Sequence, residues 1–208
     1  EAVKKGRLKM SQPLPVSARA AAALPSKLGL APGSTITVED AILAMMTKSA
    51  NDAAVVMAEA LGGTEHKFSE MMTRKARELG MERTNFRNAS GLPNRRQLST
   101  ARDMAALAKH LLTDYPDQYH LFATSEFQYD GRRYRNHNAL LASYPGVDGV
   151  KTGYTHASGY NLVVSAKRDG KRVIGVIFGG QSSAARNARM EGLLDTAFAD
   201  LQQPGKVQ

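Results

Sequence analysis

Val150-Lys151-Thr152-Gly153-Tyr154 reads as one strand that offers an ammonium, a hydroxyl and an approachable backbone to something lying alongside. Before it comes Gly146-Val147-Asp148-Gly149, short and glycine-flanked, and after it the polar turn Thr155-His156-Ala157-Ser158-Gly159 leads into an apolar run from Tyr160 to Ala166. Lysine supplies charge, threonine a short donor and acceptor, and glycine removes the side chain that would keep a ligand off the backbone. The trio suits an anionic ligand group beside an exposed strand edge. Three residues alone also fit a plain surface lysine before a turn, because tripeptides recur by chance.

Outward from this strand the chain reads as α+β. Tyr160–Ala166 and Arg172–Phe178 are two strands joined across Asp169-Gly170, a two-residue turn of the type that matches strand twist, and Phe127–Tyr134 carries a second such signal at Asp130-Gly131. Met190, Leu193, Leu194, Ala197, Phe198 and Leu201 recur at helical spacing, so the last helix should pack on the sheet. Upstream the pattern is helical. Thr37 to Asp40 is a capping box opening a helix from Ala41 to about Lys48, and Ser49-Ala50-Asn51-Asp52 reads as a second box starting a helix to Leu61. Two helices therefore meet at Ser49 to Asn51. Phe68, Met71, Met72 and Leu79 mark a further helix closed by Gly80, and the box Thr100–Asp103 opens another through Leu112. Residues 1–10 look like the tail of a helix, and 11–36, broken by Pro13, Pro15, Pro25 and Pro32, like an extended excursion. The expected organisation is a single domain over 1–208, with a helical lobe at about 37–115 and a sheet with its C-terminal helix at about 125–203.

Composition bounds the function. The 208 residues, 42% of them apolar, suffice for a real core. A net charge of +9 would suit a polyanion, but the cations are scattered and no zinc-finger spacing, RNA-binding signature or basic helix accompanies them, so no nucleic-acid partner is expected. There is no cysteine for thiolate chemistry, and no run reaches the roughly 18 apolar residues of a membrane span.

Ser49-Ala50-Asn51 and Lys151-Thr152-Gly153, in that order, resemble the second and third motifs, S-x-N and K-T-G, of the penicillin-binding and serine β-lactamase superfamily. Val16–Ala21, Ser26–Leu30, Ala31-Pro32-Gly33, Leu43–Ala54, Gly80-Met81, Asn88–Pro93 and Gly146–Ala166 extend the likeness. Nearly the whole chain resembles the low-molecular-mass D-alanyl-D-alanine carboxypeptidases. The resemblance implies an antiparallel sheet flanked by helices and a serine-type acyl transfer at the penultimate D-Ala of a peptidoglycan stem peptide, outside the cytoplasm and facing the cell wall. It also implies acylation by β-lactams, with no cofactor and no metal. Carried over by position, Ser49, Asn51 and Lys151 are the catalytic candidates. Thr152, Gly153, Tyr154, Thr155 and Arg186 are the substrate-binding candidates, and His137 stands where relatives often have arginine.

One departure stands out. The family's nucleophile lies in a motif S-x-x-K, and no serine here has a lysine at the third position after it. The nucleophile helix and the strands before it are expected to belong to a longer polypeptide, from which this chain, opening on Glu1, has been processed or cut. No glutamate begins the E-x-x-L-N stretch of a class A β-lactamase, so penicillin turnover should be slow. The alternative to an enzyme is a non-catalytic peptidoglycan-binding or structural homologue.

Overall fold

The computed structural model describes residues 1–202. In chain order the elements are β1 (Pro13–Pro15), α1 (Ala18–Ala21), β2 (Thr35–Thr37), α2 (Val38–Thr47), α3 (Asn51–Gly62), α4 (Glu65–Glu78), α5 (Ala101–Asp114), α6 (Pro116–Tyr119), β3 (Glu126–Tyr129), β4 (Arg132–Arg135), α7 (Leu140–Ser143), β5 (Val147–Thr155), β6 (Gly159–Arg168), β7 (Lys171–Gly180) and α8 (Ser183–Gln202). Among the described residues, no helix is long and apolar enough to cross a membrane. The chain divides into two compact units.

The first unit comprises Glu1–Ser99 with Thr124–His137. Its core gathers Val38, Ala41 and Ala44 of α2 and Ala53, Val55 and Val56 of α3 with Leu14, Val16, Leu28, Leu30 and Ile36. The proline-broken stretch 11–36 is extended only in part: Leu14, Val16, Ala20, Leu28, Leu30 and Ile36 reach the core, Leu24 stays exposed, and β1 pairs antiparallel with β2. The expected N-terminal helix reduces to a single turn, with Lys5 N–H on the Glu1 carbonyl at 2.9 Å and Gly6 leaving at φ +69°. Thr37 caps α2 as its sequence predicts, its hydroxyl accepting from Asp40 N–H at 3.0 Å. Past α4, Gly80 takes φ +74° and Met81 N–H returns to the Ala76 carbonyl at 2.8 Å, the αL ending that glycine permits. The β3–β4 hairpin turns on Asp130 and Gly131, both at positive φ, and lays Phe127 into this core between Tyr129 and Tyr134.

The second unit comprises Thr100–Ala123 and the described residues from Asn138 onward. Its antiparallel sheet has the order β5-β6-β7. On one face Leu162, Val164, Ala166 and Ile177 pack against Met190, Leu194 and Phe198 of α8. On the other, Val150, Val163, Ile174 and Val176 meet Met104, Ala108 and Leu111 of α5. The β6–β7 turn puts Asp169 and Gly170 at positive φ, as the Asp-Gly pair predicts.

These memberships revise the boundaries expected from sequence. Helix α5 belongs with the sheet, because its apolar stripe covers the sheet face that α8 leaves open, and the β3–β4 hairpin belongs with the helices, because Phe127 joins their core. The lobe limits 37–115 and 125–203 therefore do not hold, and position 203 lies outside the described residues.

Candidate active site

The helix elbow in the first unit is tied down from several directions. Ser49 lies outside both helices at φ +56°, a left-handed conformation that costs a non-glycine residue on the order of 1–3 kcal/mol. The capping box expected at Ser49–Asp52 does not form. Ala50 occupies the cap position of α3 and no side chain caps that helix. Asp52 is instead fully buried, and its carboxylate accepts the backbone N–H groups of Leu28 (3.1 Å), Gly29 (2.9 Å) and Leu30 (3.1 Å), as well as Ala53 N–H at 2.9 Å. Two further straps come from the same segment. Asn51 N–H reaches the Ser26 carbonyl at 2.8 Å, and the Ser26 hydroxyl donates to the Lys48 carbonyl at 2.8 Å. Asn51 itself is 8% exposed, with its Nδ2 donating to the Leu24 carbonyl at 2.8 Å. The side chain that resemblance assigns to substrate thus also fastens the elbow to residues 24–30. His137, whose N–H meets the Thr47 carbonyl at 3.3 Å, holds the end of α2.

In the second unit the lysine strand runs along one side of β6 as the end strand of its sheet. Lys151 pairs with Val163, Thr152 with Leu162, Gly153 with Asn161 and Tyr154 with Tyr160. Burial pushes the Lys151 ammonium down to about 8, and Nζ donates to the Thr152 carbonyl at 2.8 Å. A desolvated ammonium binds an anion more strongly than a hydrated one and gives up a proton more readily.

The glycines of this sheet separate into those the fold requires and one it does not. A Cβ on Gly175 would lie 2.4 Å from Met190 Sδ, on Gly149 2.8 Å from the Tyr119 hydroxyl, and on Gly146 2.3 Å from the Lys167 carbonyl oxygen. On Gly153 it would meet only Asn161 Cβ, at 4.0 Å, and the residue does not have positive φ. Neither packing nor backbone conformation demands glycine there.

The other sequence candidates have defined places. Tyr154 is 57% exposed, its ring 4.4 Å from that of Tyr160. Thr155 builds the β5–β6 turn, its Oγ1 2.7 Å from Ser158 Oγ and accepting Ser158 N–H at 3.0 Å. Arg186 lies within the first turns of α8 rather than before it, and is only 4% exposed. Its guanidinium donates to the Asn161 carbonyl at 3.2 Å and twice to Asn187 Oδ1, at 3.1 and 2.8 Å. It therefore sits behind the residue paired with Gly153 and is not a surface arginine.

Two features escaped sequence reading. The grip of residues 24–30 on the elbow depends on Asp52, whose helix-start position gave it a local explanation that tertiary structure overrides. The other is an ion pair of Asp148 with Arg172, at 2.7 Å, in a stretch that read only as short and glycine-flanked. Its only signal was an acid placed between glycines before the strand.

Residues 1–182 match the peptidase S11 family, D-alanyl-D-alanine carboxypeptidase. The D-alanyl-D-alanine carboxypeptidase DacF of Bacillus subtilis is 39% identical over 208 residues, covering 97% of this chain and 53% of that protein. The crystal structure of D-alanyl-D-alanine carboxypeptidase DacD from Francisella tularensis matches with a TM-score of 0.91 at 30% identity, covering 96% of this chain and 61% of that one. Penicillin-binding protein D2 of Listeria monocytogenes, in its cefotaxime-bound form, matches with a TM-score of 0.84 at 32% identity over 95% of this chain and 81% of that one. The chain spans about half the length of the curated relatives it matches. Since the family match runs through both the Ser49 elbow and the Lys151 strand, this chain belongs to the D-alanyl-D-alanine carboxypeptidase family of S11 peptidases.

Proposed function

We propose that the protein to which this chain belongs is a serine-type D-Ala-D-Ala carboxypeptidase acting on peptidoglycan stem peptides outside the cytoplasm. The observation that carries the reading is the pairing of a desolvated Lys151 with Gly153, a glycine that the fold leaves free for a partner along the strand. The nucleophilic serine and its lysine partner lie in an S-x-x-K segment that these 208 residues do not include. That serine attacks the penultimate D-Ala carbonyl, the terminal D-Ala leaves, and water takes the acyl group.

In this scheme Ser49 relays a proton toward the leaving amine, and Asn51 hydrogen-bonds the substrate amide and positions the lysine of the absent motif. Lys151 stabilises developing charge. With Thr152, Thr155 and Arg186 it holds the terminal carboxylate. The Tyr154 N–H, with that of the nucleophilic serine, forms the oxyanion hole, each donor being worth about 2.7–4 kcal/mol. Gly153 stays small so that the acyl chain can lie along β5. β-Lactams acylate the same serine, because they place a reactive amide and a carboxylate where the D-Ala-D-Ala end sits. The cefotaxime-bound relative supports this.

The test is fluorescent penicillin labelling of the full-length protein, paired with D-Ala release from a diacetyl-L-Lys-D-Ala-D-Ala tripeptide. A covalent adduct with D-Ala release is the expected result. Saturable tripeptide binding with neither adduct nor release would overturn it in favour of a non-catalytic wall-binding protein.

A further inference from the structure

We propose that Asp148 and Arg172 are positioning residues for Lys151, their ion pair pinning the register of β5 at its bulge and so deciding on which face of the sheet the lysine emerges. The inference rests on the reading above, in which Lys151 acts on the substrate.

The β5–β6 ladder slips at one place. Val147 pairs with Ala166 and Gly149 with Ser165, so two residues of β5 oppose one of β6 and Asp148 is the extra one. A bulge leaves its extra residue out of the ladder and disrupts pairing locally. A slip of one residue there would send every following side chain of β5 to the opposite face, because side chains alternate with period two. Lys151, three residues on, would then no longer occupy its present face.

Asp148 is fastened against that slip. Its two carboxylate oxygens take the two terminal nitrogens of Arg172, Oδ1 with Nη1 at 2.8 Å and Oδ2 with Nη2 at 2.7 Å, a bidentate fork that fixes angle as well as distance. Arg172 is on β7, so the pair reaches across the whole sheet, and on the way its Nη1 also donates to the Ser165 hydroxyl of β6. Ser165 and Val163 are two apart on one strand and share a face, and Val163 is the register partner of Lys151. The clamp is therefore anchored two residues along β6 from the register partner of Lys151.

Aromatic and amide groups complete the support. Tyr119 donates its hydroxyl toward Asp148 Oδ1 at 3.4 Å, and its ring lies 5.7 Å from the Arg172 guanidinium. The same hydroxyl lies 2.8 Å from where a Cβ on Gly149 would be, so a side chain there would be crowded. Asn138, buried before α7, directs Nδ2 to the Gly149 carbonyl at 3.4 Å. Strands β6 and β7, α6 and Asn138 thus converge on the two residues that precede Val150-Lys151.

The test uses the full-length protein and two readouts that a merely structural ion pair would leave alone. They are the acylation rate by penicillin per folded molecule and the titration midpoint of the Lys151 amine, followed by NMR of its ε-carbon. Arg172→Ala is expected to slow acylation about 10- to 100-fold, the scale of a small misplacement of a reacting group. It should also move the lysine midpoint up from about 8 toward the ordinary lysine value. Arg172→Lys keeps the charge and one contact but not the fork, and should fall between wild type and Arg172→Ala in both readouts. Variants that lose stability but match wild type in both would overturn the inference. If Arg172→Ala does not fold, Arg172→Lys is judged by the same standard. If wild type takes no penicillin at all, the catalytic reading fails separately, and the lysine midpoint then decides: moved in Arg172→Lys, it supports the clamp; unmoved, it overturns it.

Discussion

The elbow and the lysine strand are held by opposite means. Ser49 sits in a strained conformation within a loop that buried side chains fasten to residues 24–30, and four backbone N–H groups share the Asp52 carboxylate. Beyond its bulge, β5 is an ordinary ladder strand in which Gly153 has open space beside it and Tyr154 is exposed but for its contact with Tyr160. In the elbow, Asn51, to which the proposed mechanism gives a role, is also one of the residues that fasten the loop. In the strand the supporting contacts lie before Val150, and the residues to which the proposal gives chemistry lie after it. The contrast predicts where mutation should damage folding and where it should damage only function.

Asp52→Ala breaks the comparison most forcefully. At least two buried N–H groups would lose their acceptor, at about 1–3 kcal/mol each. A loss of about 4 kcal/mol in urea unfolding is expected, with activity falling only as the folded fraction falls. Lys151→Met should do the reverse, lowering penicillin acylation about 10²- to 10³-fold while the protein at pH 7 remains at least as stable as wild type. If both substitutions cost stability alike, the distinction between the halves is lost.

A pair of glycine substitutions sharpens the distinction within the strand. Gly149→Ala puts a methyl group against the Tyr119 hydroxyl and the Phe122 Cβ, at 2.8 and 3.2 Å, and overpacking of that kind costs about 1–3 kcal/mol. Gly153→Ala meets no such resistance and should stay within about 0.5 kcal/mol of wild type. It should nonetheless slow acylation measurably, because the methyl group stands where an acyl chain would lie. Equal effects on stability would mean that Gly153 is kept for the fold after all.

Legibility in the sequence followed the same division. The strand placement of Lys151-Thr152-Gly153 could be read because its signal is local, carried by adjacent residues of one strand. The Thr37 and Thr100 caps, the Asp-Gly turns and the apolar stripe of α8 were legible for the same reason. Ser49 was misread because a local rule, serine before a helix with an acid three residues on, competes with a tertiary demand. The loop 24–30 draws the Asp52 carboxylate away, and α3 is left without a side-chain cap. The Asp148–Arg172 pair depends on a bulge and on a strand two positions across the sheet, neither of which has a periodic trace. The unit boundaries were missed likewise, since α5 and the β3–β4 hairpin are each assigned by what they cover and not by their composition.

The finest of these effects is a dependence on pH. Burial holds the folded Lys151 near 8, against about 10.4 for a lysine in the unfolded chain. Between those values the unfolded chain keeps a proton that the fold has released, so stability gains from this group as pH rises through the window, and its full cost is present below about 8. Tyr119 and Tyr144, both pushed up to about 12, act in the opposite sense, losing stability as pH climbs past 10. Comparing wild type with Lys151→Met cancels the tyrosines, which are common to both. The stability advantage of the methionine variant should therefore be constant below pH 8 and shrink toward pH 10, with a slope no steeper than about 1.4 kcal/mol per pH unit for a single proton. An anionic ligand on the ammonium would raise its midpoint and carry the start of that decline to higher pH, so the same pair of proteins measured with and without a stem-peptide carboxylate reports directly on whether Lys151 is the group that receives it.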